Sequence, residues 1–126
     1  MSEHSEQAAF VEYVLYTYQH RADFLRALFF AVPNANKRTR WQAAQLQQEG
    51  MTRGIADILY LQPRGGHSFL AIEMKDMPRL NEKNGGLTDA QMEFLQTAAD
   101  IGARVSACYG YDAAVQLFDE YMGFPT

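Results

Sequence analysis

Apolar positions fall into helical and strand patterns in alternation along the chain. Phe10, Val11, Val14, Leu15 and Tyr18 recur at i, i+1, i+4, i+5 and i+8, which predicts a helix over 5–19 with Ser5 as its N-cap. Arg21 to Leu25 adds a short helical turn. Leu28-Phe29-Phe30-Ala31-Val32 is an unbroken apolar run ended by Pro33-Asn34, and reads as a strand. Lys37 to Glu49 is rich in Gln, Ala and Leu, good helix formers, and Gly50 can stop it. Ile55–Gln62 and Ser68–Lys75 flank the turn Pro63-Arg64-Gly65-Gly66 as a hairpin. Pro78 to Gly86 is polar and carries two glycines, the pattern of a mobile loop. Thr88-Asp89-Ala90-Gln91 has capping-box spacing and opens a helix to about Ile101, which Gly102 ends. Arg104 to Tyr109 is a strand, Gly110 a turn, and Tyr111 to Tyr121 a closing helix. The order α, β, α, β, β, α, β, α implies a central mixed sheet with helices on both faces. No repeat, low-complexity tract or linker interrupts it, so residues 1–126 read as a single domain.

Strand geometry picks out the chemistry. Asp57 follows the turn at Gly54 and opens one apolar run, while Glu73 and Lys75 sit two apart in the next and share a face. If the runs pair, Asp57, Glu73 and Lys75 meet at one edge of the sheet. Two carboxylates beside an ammonium make a divalent-metal site with a cationic helper, the equipment of phosphodiester hydrolysis. Bland roles exist for Asp57 (turn chemistry) and Lys75 (a salt bridge). Glu73 is harder to dismiss, because Ala71, Ile72 and Met74 around it imply burial, which is costly for a carboxylate without a partner or metal. Mg²⁺ prefers oxygen and keeps several waters, so the two acids and one carbonyl, that of Met74, suffice, with Mn²⁺ as the substitute.

Composition narrows the setting. A chain of 126 residues with 48% hydrophobic content has enough apolar mass for a core. No apolar stretch reaches the roughly 18 residues of a membrane span. The polar, acidic start Met1-Ser2-Glu3-His4-Ser5-Glu6 lacks the features of a secretory signal, so a cytoplasmic location is expected. Cys108 is the only cysteine; no intramolecular disulfide can form, and its apolar neighbours suggest a small buried hydrophobe. His4, His20 and His67 show no metal-ligand spacing. The net charge of −4 argues against nucleic acid at first sight, but residues 37–75 carry six positive and three negative charges, a local +3. Lys37, Arg38 and Arg40 beside Trp41, with Arg53 further on, form a basic and aromatic cluster. Alone it reads as a solvated face; next to a phosphodiester site it reads as phosphate contacts. No glycine-rich phosphate loop or nucleophile motif supports a metabolic α/β enzyme, and no small-molecule cofactor is expected.

The order of these pieces resembles a stand-alone VRR-NUC domain of the PD-(D/E)XK nuclease superfamily. Gly54-Ile55-Ala56-Asp57-Ile58-Leu59 resembles its Gly-hydrophobic-Pro-Asp motif and Ile72-Glu73-Met74-Lys75 its Glu-X-Lys. Val32-Pro33-Asn34 with the following basic residues, Leu87-Thr88-Asp89-Ala90-Gln91 and Tyr109-Gly110-Tyr111-Asp112 resemble further family segments, as does the acidic entry at Ser2–Gln7. Ala56 departs from the usual proline, and Asn34-Ala35-Asn36 from a glycine-rich turn. The resemblance implies a Mg²⁺-dependent endodeoxyribonuclease with the PD-(D/E)XK core, of the phage or prophage type, acting on branched DNA such as four-way junctions or flaps. It implies that Gln91 borders the active site and that the first helix supplies a further acid, for which Glu6 and Glu12 compete. A symmetric junction would suit a two-fold dimer, and the first helix, apolar on more than one side, offers an interface. The competing expectation is a DNA-binding module of the same fold without catalysis.

Overall fold

The computed structural model describes residues 2–33 and 39–126. Helix α1 covers Glu3–Thr17; Ser2, rather than the expected Ser5, is its N-cap and accepts a hydrogen bond from the Ser5 amide. Helix α2, Ala22–Leu28, then leads directly into strand β1, Phe29–Ala31. The expected short turn is thus a full helix, the element order gains one α, and Leu28 belongs to helix rather than strand. Helix α3 runs over Arg40–Gln48 from a capping box of Thr39 and Gln42. The expected start of this helix at Lys37 lies outside the described residues.

Strands β2 (Ile58–Tyr60) and β3 (Leu70–Lys75) form the expected hairpin, followed by helix α4 (Asp89–Asp100), strand β4 (Arg104–Tyr109) and helix α5 (Tyr111–Gly123). The sheet order is β1-β2-β3-β4; β1 pairs antiparallel with β2, β2 antiparallel with β3, and β3 parallel with β4. The loop expected over 78–86 is built of a 3₁₀ turn at Met77–Asn81 and a second tight turn at Lys83–Gly86.

The strand alternation sorts the two faces. Leu70, Ile72 and Met74 of β3 join Ile58 and Tyr60 of β2 in a core closed by Phe10 and Val14 of α1 and by Leu117, Phe118 and Tyr121 of α5. Phe118 meets Phe10, Tyr18, Phe29 and Tyr60 in edge-on or tilted ring contacts, the arrangement aromatic quadrupoles favour. Tyr13 and Tyr18 do core duty as well: both hydroxyls donate to the Asp119 carboxylate, clasping α1 to α5. Cys108 is buried, and its dry setting raises the thiol to about 11. At the hairpin turn, buried Arg64 donates from one guanidinium nitrogen to the Met122 and Phe124 carbonyls, while the Gly65 amide donates to the Pro125 carbonyl. The first of these satisfies an orphan carbonyl in the last turn of α5, and the others hold the chain that follows it. Among the described residues no helix is long and apolar enough to cross a membrane.

Candidate active site

The register Ile58↔Ile72, carried one step further, sets Asp57 opposite Glu73. Both side chains therefore leave the face opposite the aromatic core. Asp57 is held there by the strand it faces: its Oδ2 accepts a hydrogen bond of 2.7 Å from the Met74 amide. The Asp57 carbonyl accepts from Val32, tying the acid to the end of β1 as well. N–H and C=O of one strand residue point to the same side, so the Met74 carbonyl shares the Asp57 edge.

Gly54 brings the third element in. Its φ is +81°, and a Cβ there would lie 2.5 Å from the Ala90 carbonyl carbon, so only glycine lets the loop before Asp57 touch the first turn of α4. In that turn Gln91 has two tasks. Its Oε1 accepts from the Thr88 amide at 2.9 Å, closing the capping box, and its Nε2 donates to Glu73 Oε2 at 3.3 Å. The cap that starts α4 is also a ligand of the buried acid.

Glu73 is 2% exposed and Lys75 4%. Burial, then the charge of Asp57 and a hydrogen bond with it, push the Glu73 carboxyl up to about 9, with Lys75 acting in the opposite direction. The ion pairs of the described residues, Arg26–Asp23, Arg79–Glu82 and Arg104–Glu120, involve neither acid nor Lys75. The bland reading of Lys75 as a salt-bridge partner thus has no geometric support. A buried carboxyl that must retain a proton opposite a second, half-buried acid is a setting that a divalent cation would relieve.

Sequence reasoning named Glu6 on the first helix and missed Glu3. A Cβ on Gly110 would lie 3.6 Å from Glu6 Oε1, which places Glu6 toward the start of α5. Glu3 lines a cleft of about 630 Å³ together with His4, Gln7 and Asp57. Its carboxyl is raised by burial and by Asp57, with Lys75, Asp76 and Arg79 also felt. The signal was available: Glu3 and Glu6 are three apart on one helix, so they share a face and differ by one turn. Asp76 was also missed; its Oδ1 is buried without a hydrogen-bond partner among the described residues. On the other side of Asp57, Arg53, Thr88 and Gln91 line a second cleft of about 220 Å³.

Among the described residues no three His, Cys, Asp or Glu side chains form a metal-holding group. Mg²⁺ does not require one, since it is held by one or two carboxylates and retains waters. Asp57, Glu73 and the Met74 carbonyl, all oxygen donors, fit that demand. Arg40, Trp41 and Arg53 are exposed, Trp41 by 72%. Lys37 and Arg38 lie outside the described residues.

The family model for the VRR-NUC domain matches residues 2–112. A solved structure titled "VRR_NUC domain protein" superposes with a TM-score of 0.77 at 21% identity, covering 99% of this chain and 91% of that one. At that identity the likeness speaks for the fold. No curated protein matches the chain.

Proposed function

Because the chain belongs to the VRR-NUC domain family, a nuclease-type domain that binds DNA, we propose that it is a metal-dependent, structure-specific endonuclease that hydrolyses phosphodiester bonds in branched DNA. The observation that supports this most is buried Glu73 opposite half-buried Asp57, beside a buried Lys75 that has no ion-pair partner among the described residues. Asp57, Glu73 and the Met74 carbonyl would hold Mg²⁺, with Glu3 the nearer acid of α1 and Glu6 one turn further. When bound, the ion acidifies a water and polarises the phosphate. Asp57 spends one oxygen on the Met74 amide and Glu73 one on Gln91, so each keeps the other oxygen for the ion. Lys75 donates hydrogen bonds to the attacking water or to the charge that develops on phosphate. Arg40 and Arg53, with Lys37 and Arg38, neutralise backbone phosphates, and Trp41 gives a stacking surface. A homodimer, with α1 and its neighbours at the interface, would present two such sites to opposing strands of a junction.

The test is cleavage of labelled four-way junction, flap and linear duplex with and without Mg²⁺. Asp57→Ala and Glu73→Ala are expected to abolish cutting while binding survives, and Lys75→Ala to slow it by about two orders of magnitude. Full activity in either acid variant would sink the assignment. Tight binding with no cutting by the native chain would favour the non-catalytic module.

A further inference from the structure

The segment 76–86 connects two active-site elements: it leaves β3 just after Lys75 and ends at the cap of α4. Met77 and Leu80 lie in its 3₁₀ turn. Three residues complete a turn of such a helix, so side chains at i and i+3 stand on one face. Both are large, apolar and uncovered, Met77 by 57% and Leu80 by 54%. Met77 packs at the start of α5: a Cβ on Gly110 would lie 3.3 Å from its Cγ and 3.6 Å from Glu6 Oε1.

The segment is braced from behind. Arg79 turns back, donating to the Gly86 carbonyl at 3.0 Å and to Glu82 at 3.2 Å. The Tyr109 hydroxyl donates to the Gly85 carbonyl at 2.7 Å. Asn84 and Gly85 have φ of +55° and +63°, and Tyr109 leaves no room for a Cβ at Gly85. Exposed apolar side chains scattered singly need no explanation. Here two share one face of a braced turn whose root is two residues from Lys75, and exposed Lys83 adds a cation in the same segment.

The geometry points to Met77 and Leu80 as an apolar wedge that enters the base stack at a DNA branch point, with Lys83 on the adjoining phosphate. Apolar side chains of this size insert between base steps and unstack them. Unstacking costs least where pairing or stacking is already interrupted, as at a branch, so the wedge favours branched over continuous duplex. This rests on the nuclease reading and names what selects its substrate.

The experiment places 2-aminopurine at the branch of a flap and of a four-way junction. Its fluorescence is followed with Ca²⁺ in place of Mg²⁺, and cleavage is measured in parallel. The native chain is expected to raise the fluorescence. Met77→Ala/Leu80→Ala, both exposed, is expected to abolish the rise and reduce the preference for branched over linear DNA by roughly tenfold, with linear cutting retained. A native chain that unstacks the base but cuts nothing leaves the wedge standing and overturns the nuclease reading. One that cuts branched DNA without unstacking it, or a double variant indistinguishable from it, overturns the wedge. A double variant that instead drops to half the native mass in light scattering overturns it too, assigning the ridge to a second copy of the chain.

Discussion

Glu73 retains a proton near neutrality because its surroundings are dry and Asp57 stands opposite. Its folded value of about 9 lies above the ordinary carboxyl value of 4.5. The folded state therefore binds more protons than the unfolded one between those values. The resulting stability is full below the lower value and is lost as pH rises through the upper. Melting of the metal-free protein is expected to fall from pH 5 to pH 9, and Glu73→Gln to flatten that slope. If Mg²⁺ is held as proposed, added Mg²⁺ should raise the native Tm more at pH 9 than at pH 5, since the ion would take the place of the proton. Thermal melts across this range decide the matter: an equal slope in the Gln variant would remove Glu73 as the source. Among single residues, Asp57, Glu73 and Lys75 were legible because strand alternation is strict. Glu3 was legible only as a face-mate of Glu6; a solvated helix face explains any acid on α1 until the sheet shows which turn lies beside Asp57.

At the scale of elements, the contact between the Gly54 loop and α4 is the joint that brings Gln91 to Glu73. Gly54→Ala puts a methyl group into the Ala90 backbone at a positive φ. It is expected to cost about 1–3 kcal/mol in denaturant melts. It should also lower cleavage beyond what that loss predicts, because the first turn of α4 must back away. Wild-type cleavage in a variant that remains folded would show that Gln91 is a cap and nothing more. The capping box at Thr88 was readable from spacing alone, as were the hairpin and β4. What escaped was set by competition between neighbours. The helical turn read at Arg21 to Leu25 extends to Leu28 because Leu25 buries in the core, and the apolar run counted as strand from Leu28 hid that last turn. The segment 78–86 read as mobile on composition, yet its carbonyls find partners in its own Arg79 and, from β4, in Tyr109.

For the whole molecule, the apolar excess on α1 finds only part of its cover among the described residues. Phe10 and Val14 are buried, but Leu15 is 50% exposed and Tyr16 76%. Leu15 lines a groove of about 450 Å³ with Val11, Leu25, Phe29 and Phe30 between α1 and the edge strand β1. The proposed second copy would fill it. Light scattering at micromolar concentration is expected to give about 28 kDa, twice the 14.3 kDa protomer. Leu15→Glu/Phe30→Glu should halve it and abolish paired cuts across a junction while single cuts persist. A native mass of one protomer with efficient paired cutting would dismiss the dimer.

The bond from Arg64 to the end of α5 has a consequence in time. The guanidinium sits at the tip of the hairpin that bears both acids, yet its acceptor at Met122 is 58 residues further along the chain. At about 5–20 residues per second of synthesis, the hairpin waits some 3–12 seconds for that acceptor. Until then the cation stays in water and the aromatic core lacks its closing helix. Until α5 is made, Asp57 and Glu73 thus stand on a sheet whose core is still open on one side, and the cutting proposed for them would await that helix.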